Sequence, residues 1–252
     1  MPNPITLEIC CGSAADAIAA YQDGVKRVEL NSDLFHGGLT PSLGSLITIK
    51  KAAPDLSVVC MLRPREGGFC YSDREYEVML ADAELFLQNH ADGIVFGILN
   101  ADGTLDIRRN RELVNLAHRY NKEAIFHRAI DVVSDWKGTL DALIRMGVDR
   151  VLTSGQAATA LEGASTIREM IEYAAGCTVI LPGSGIKPHN VQEVLAATGA
   201  SQVHASLRQE AVDRSACGNP AVHFSGGVCP PEERYYEVCA EDIKRFLEMI
   251  AD

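Results

Sequence analysis

Glu8, Glu29, Arg63 and His127 each sit in or at the end of a short apolar run. A charged side chain in such a run is costly to bury unless it is paired. Two carboxylates, a guanidinium and an imidazole from four separate runs form a set that can position an anion and move a proton. Arg63 would stabilise developing negative charge, and His127 or one of Glu8 and Glu29 would act as acid or base. Arg128 and Asp131 follow His127 closely enough to fix its tautomer and charge. A second constellation suits an anion's other end. Gly183-Ser184-Gly185 offers backbone N–H groups in a tight turn, and Ser154, Gly155 and Ser206 can complete a phosphate cradle. The alternative is that the charges pair among themselves and fill the interior. None of the lysines ends a strand-like run, Lys187 lying only in the loop after the seventh, so Schiff-base chemistry is disfavoured.

The runs that carry these residues alternate with amphipathic ones. Strands are expected at 5–10, 27–31, 58–63, 93–98, 124–127, 150–153, 178–181 and 202–205. Helical patterns between them include 73–89, 106–120, 136–146, 157–175 and 188–198. Ser72 and Glu75 read as a capping box, and Thr40-Pro41 as an N-cap followed by a first-turn proline. Strict alternation implies parallel strands joined by right-handed crossovers. A helix end and strand start recur at Gly24, Ala91, Gly147 and Gly199, ahead of every second strand. This two-unit modularity across 252 residues favours a closed (β/α)8 TIM barrel over an open sheet. The whole chain, 1–252, reads as one domain. The stretch 206–238 lacks periodicity and is expected to be a long irregular loop at the barrel rim, before a last helix at 240–250. In such a barrel, strand C-termini carry the chemistry.

Composition narrows the classes further. A net charge of −11 argues against nucleic-acid binding, which needs a basic surface. No apolar stretch is long enough to span a bilayer, and no signal peptide is expected from the residues ahead of the first strand. A cytoplasmic location is expected, with the eight cysteines as reduced thiols. They form no C-x2-C pair. Cys10 and Cys11 point to opposite faces of a strand, and Cys60 and Cys177 sit in apolar runs. Cys217, His223 and Cys229 could cooperate on a soft metal. The simpler reading is small buried hydrophobes plus incidental loop thiols.

The segments 7–10, 27–30, 37–42, 62–65 with 69–73, 126–129 with Asp131, and 150–155 together resemble the CutC family, which is named for a proposed role in copper homeostasis. The resemblance runs in order from residue 7 to about 207. It implies a TIM barrel, a cytoplasmic homo-oligomer and a link to copper, with Cys10 as the metal-ligating residue for copper(I). Family members often carry a second cysteine after the Glu-Leu of the second strand. Here that position is Asn31, so a two-thiolate site from the first two strands cannot form. The family's Arg-Pro-Arg-Gly-Gly is interrupted by Glu66. Three functions remain open at this point. One is copper homeostasis through copper(I) binding. Another is acid–base catalysis, of isomerase, epimerase or lyase type, on a small phosphorylated or otherwise anionic metabolite. The last is a non-catalytic interaction protein that oligomerises through its tail loop.

Overall fold

The structure is a computed structural model describing residues 5–216, 218–219, 221–222, 224 and 232–251. Eight strands alternate with eight helices: β1 (Thr6–Cys11), α1 (Ala14–Gln22), β2 (Arg27–Leu30), α2 (Leu43–Ala52), β3 (Ser57–Met61), α3 (Asp73–Gln88), β4 (Gly93–Phe96), α4 (Ile107–Arg119), β5 (Glu123–Phe126), α5 (Trp136–Met146), β6 (Arg150–Thr153), α6 (Ala164–Ala174), β7 (Val179–Pro182), α7 (Val191–Thr198) and β8 (Gln202–Ala205), with α8 (Ala240–Ala251) closing the chain. The strands pair in parallel in the order β7-β6-β5-β4-β3-β2-β1-β8. The sheet curls into a nearly closed TIM barrel whose seam lies between β7 and β8. There Gly183 lies beside His204, which a Cβ on that glycine would approach to 3.4 Å. The main core fills the space between strands and helices, which is why the strands read as unbroken apolar runs. A second, smaller cluster of Val59, Met61, Val95 and Ile125 lies apart from it.

Strand register sets which residues meet. Glu8 is level with His204 across β1–β8, and Cys10 is level with Glu29 across β1–β2. Residues at matched positions of adjacent parallel strands project to the same face, so these four are neighbours by construction.

The capping box of α3 forms as expected, Ser72 and Glu75 satisfying each other's backbone N–H groups. Other boundaries differ. The N-cap of α2 is Ser42, which accepts from the Ser45 N–H at 3.1 Å. Thr40 is drawn elsewhere, its Oγ1 accepting from the Arg63 N–H at 2.9 Å. α6 starts at Ala164 rather than residue 157, because residues 156–163 turn back over the β6 end. Gln156 takes a left-handed backbone there (φ 59°). α7 starts at Val191 rather than residue 188, after Asn190 Oδ1 accepts from the Lys187 N–H. The stretch expected to be irregular contains an antiparallel hairpin, β9 (Arg208–Val212) with β10 (Arg234–Val238). Its strands are mostly exposed, so they lack the apolar alternation that reveals a half-buried strand. Cys217, His223 and Cys229 lie outside the described residues. Cys177 is exposed, whereas Cys11 and Cys60 are buried.

Candidate functional site

One side of the barrel interior is charged. Glu8, only 1% exposed, receives Arg150 and Arg27 on Oε2 and His204 on Oε1. Arg150 also donates to Glu123 at 2.7 Å, and Arg27 to Gln202 at 2.6 Å. Burial alone would raise the Glu8 carboxyl, but Arg150, His204 and Arg27 hold it far below the usual carboxylate range. Glu8 thus belongs to an ion-pair floor beneath the site.

Above this floor, at the C-terminal end of the strands, opens a cavity of about 320 Å³. Its lining includes Cys10, Glu29, Asn31, Arg63, Phe69, His127, Arg128, Asp131, Leu152 and His204. One wall combines Cys10 from β1, Glu29 from β2 and His204 from β8. Their ligand atoms lie within 4.8 Å of one another. Asn31 Nδ2 donates to Glu29 Oε1 at 2.9 Å and reaches Cys10 Sγ at 3.5 Å. Glu29 Oε2 is buried with no partner. Burial raises the Glu29 carboxyl and the Cys10 thiol. Burial would depress the His204 imidazole, but Glu29, with Cys10 and Glu8, lifts it well above the usual histidine range.

Arg63 and His127 also line the cavity. The Arg63 guanidinium donates to the carbonyls of His36 (2.8 Å), Gly38 (3.1 Å) and Gly67 (2.8 Å). It has no carboxylate partner among the described residues and stands 5.6 Å from the Phe69 ring. His127, 3% exposed, accepts the Ala129 N–H on Nδ1 at 3.1 Å. The ring proton therefore sits on Nε2, which has no partner. Burial and then Arg63 push its pKa down to about 3, so the site presents a neutral N–H donor beside a cation. Gly97, directly after β4, makes room for this ring. A Cβ there would come within 2.5 Å of His127 Nδ1.

The sequence pointed to Arg128 and Asp131 as fixing the tautomer and charge of His127; both act on its charge, Asp131 raising and Arg128 lowering its pKa, but the structure corrects the tautomer. The Ala129 backbone fixes that, while Asp131 organises the loop after β6. Its carboxylate accepts from Arg128 Nε (2.8 Å), Thr153 Oγ1 (2.5 Å), the Ser154 N–H and hydroxyl (3.0 and 2.9 Å) and the Gln156 N–H (3.2 Å). Ser154 is buried in this network and also receives Arg128 at 2.7 Å. Gly155, in a left-handed conformation (φ 71°), packs against the Gly163 backbone. None of Ser154, Gly155, Gly183, Ser184, Gly185 and Ser206 is among the cavity-lining residues. The Gly183–Gly185 turn carries the 157–163 segment, with Ser184 Oγ donating to the Ala158 carbonyl at 2.9 Å and its own carbonyl receiving the Ala160 N–H. Ser206 Oγ is buried without a partner, next to Lys187 Nζ, which donates to the Ser206 carbonyl at 2.6 Å.

Sequence reasoning did not assign roles to Arg27, Arg150, Asn31 and His204. The signal was parity: Arg150 alternates with Leu152 on β6 and His204 with Gln202 on β8, as Glu8 does with Cys10. Chemically, the cavity joins a donor wall for an oxyanion to a sulfur, nitrogen and oxygen cluster. As a copper(I) site the cluster offers one thiolate, one imidazole and a hard carboxylate, a set that does not match the soft donors copper(I) selects.

A family model described as "CutC family" matches residues 5–209. A "family protein CutC" of Treponema denticola is 48% identical over 229 residues, covering 91% of this chain and 92% of that protein. The mouse "Copper homeostasis protein cutC homolog" is 43% identical over 206 residues, 82% of this chain and 75% of its own length. Among solved structures, CutC from Streptococcus agalactiae superposes with a TM-score of 0.75 at 30% identity, covering 79% of this chain and 97% of that one. Phosphoribosylanthranilate isomerase of Thermotoga maritima, 14% identical at a TM-score of 0.56, covers 98% of each chain and shares the fold alone. Among the described residues no helix is long and apolar enough to cross a membrane.

Proposed function

The chain belongs to the CutC family, and from that premise we propose that its barrel mouth binds a small anionic metabolite and moves a proton on it. One observation carries the reading. A buried guanidinium without a carboxylate partner among the described residues and a neutral imidazole whose Nε2–H is unpartnered line the same cavity. Arg63 and His127 would hold an oxygen on which negative charge develops, a carbonyl or carboxylate oxygen, at low local dielectric. Cys10, Glu29 and His204 form the wall where the proton is exchanged. Isomerisation, epimerisation or a lyase step fits this division of labour.

The test is a panel of small sugar phosphates and keto acids. Binding is read by thermal stabilisation, and proton exchange by deuterium uptake from D2O in NMR spectra. A member of the panel should stabilise the protein and exchange a C–H proton, and both effects should be lost in His127→Phe. Equal stabilisation of that variant, or none by any member, sinks the reading.

A copper-linked role in the cytoplasm is the second reading. It is favoured by the names of the mouse and human relatives, with the Cys10 thiol as the one soft donor of the cluster. Copper(I) titration tests it: binding abolished by Cys10→Ser supports the role, and binding that ignores that change removes it.

A further inference from the structure

We propose that Cys10, Glu29 and His204 form a site for a divalent cation of the zinc class, with an open coordination position turned into the barrel cavity. The inference rests on the reading of that cavity as a ligand site; with the ion bound, the three side chains are its ligands rather than the acid–base wall, and the ion is the group that would face the bound oxygen.

The three donors come from β1, β2 and β8, so the sheet itself brings them together. Their ligand atoms lie within 4.8 Å of one another. A tetrahedral zinc ion places its sulfur, nitrogen and oxygen donors roughly 3.4–3.6 Å apart. The trio would therefore close by about an ångström around the ion, a change within reach of side-chain rotation.

The surrounding hydrogen bonds orient each donor for this role. Glu8 holds His204 through Nδ1 at 2.9 Å, leaving Nε2 as the ligating nitrogen, the arrangement of a carboxylate–histidine–metal relay. Asn31 holds Glu29 Oε1 at 2.9 Å and leaves Oε2 unpartnered in a residue only 3% exposed. A buried carboxylate oxygen with nothing to accept is an unfilled ligand valence. The same Asn31 amide steers Cys10 Sγ at 3.5 Å.

Donor type selects the ion. Sulfur and imidazole nitrogen disfavour magnesium and calcium, which take oxygen ligands. A single thiolate with a carboxylate is a harder set than copper(I) selects. Thiolate, carboxylate and neutral imidazole carry two negative charges, which a divalent ion neutralises in a buried place. Three protein ligands with a vacant fourth position is the pattern of catalytic rather than structural zinc. All three line the cavity that also holds Arg63 and His127, so the vacant position would hold a water or a ligand oxygen there.

The experiment uses the full-length protein stripped with a chelator and titrated with cobalt(II) as a spectroscopic probe, then with zinc(II) against a chromophoric competitor. The expected result is one ion per chain, a sulfur-to-cobalt charge-transfer band and tetrahedral d–d bands, all displaced by zinc. Cys10→Ser should abolish the charge-transfer band. Glu29→Gln should weaken zinc binding, and the outer-shell change Asn31→Ala should weaken it about 10- to 100-fold. Cys70→Ser, at an exposed thiol, should change nothing. Circular dichroism identifies any variant that fails to fold, and Asn31→Ala then still tests the site because its side chain is no ligand. Substoichiometric binding, a charge-transfer band that survives Cys10→Ser, or zinc affinity untouched by both Glu29→Gln and Asn31→Ala overturns the proposal. Anion binding measured in the stripped protein separates the two readings. Anions that bind while zinc does not leave the cavity's function standing and remove the metal, and zinc that binds without any anion does the reverse.

Discussion

Glu8 accepts the Nδ1 proton of His204 at 2.9 Å, and its other oxygen carries both Arg150 and Arg27. One carboxylate therefore ties the ion-pair floor of the barrel to a wall of the cavity. Its removal is both a stability event and a positioning event.

Glu8→Gln leaves two buried guanidiniums short of charge, at a cost of about 3–5 kcal/mol. The double change Glu8→Leu with Arg150→Leu should recover part of that loss, because an apolar pair needs no compensation. Urea unfolding of the three proteins measures both. The pH dependence has a definite sign. Folded Glu8 titrates below its ordinary 4.5, so its contribution is intact above about pH 4.5 and is lost as pH falls below that value. A wild-type protein as stable at pH 3.5 as at pH 6 contradicts this.

His127 acts in the same direction over a higher window. Its folded pKa of about 3 lies below the ordinary 6.5. Between these values the unfolded chain takes up a proton that the folded ring refuses, and stability falls with pH by up to about 1.4 kcal/mol per unit. His127→Gln should flatten that slope. Nitrogen NMR should show a neutral ring protonated on Nε2 throughout pH 5–8, and a midpoint near 6.5 for this residue would count against the geometry.

Gly97→Ala adds one methyl group where the His127 ring stands. Overpacking of this kind costs about 1–3 kcal/mol, and relief comes from turning the imidazole away. Ligand stabilisation should drop well beyond what the loss of fold stability explains, and a shifted His127 ring resonance would report the movement. An unchanged ligand affinity would mean the ring is not part of the site.

Asp131→Asn removes the charge that gathers Arg128, Thr153, Ser154 and Gln156. A hydrogen bond to a charged group contributes about 1.5–3 kcal/mol, and a loss of at least that size is expected in chemical denaturation. Hydrogen exchange should quicken in residues 153–163 while β1 and β2 keep their protection. Uniform destabilisation without local opening would refute the loop-organising role.

The barrel was legible because parallel strands buried on both faces leave apolar runs, and helix ends repeat ahead of them. The hairpin at 208–212 and 234–238 was not, since a strand exposed on both faces carries no alternating signal. The start of α6 was missed for another reason. The path of residues 153–156 is set by Asp131 and that of 158–160 by Ser184, contacts distant in sequence that no local pattern encodes. Within the site, Glu29, Arg63 and His127 could be picked out as charges in apolar runs. His204 and Arg150 needed the closure of β8 onto β1 and the packing of β6 across the interior to acquire partners. Asn31 looked like the loss of a cysteine, and its hydrogen bonds to Glu29 and Cys10 appear only once the side chains are placed.

The ion-pair floor has a kinetic consequence. With Glu8 and Arg150 packed beneath the cavity at 1% and 2% exposure, the described residues offer a ligand the rim rather than the barrel axis as its way in and out. Arrival and departure then share the rim, where Arg63 fastens the loops at His36, Gly38 and Gly67. A reaction in this cavity would release its product before admitting the next molecule, so its product would inhibit in direct competition with its substrate.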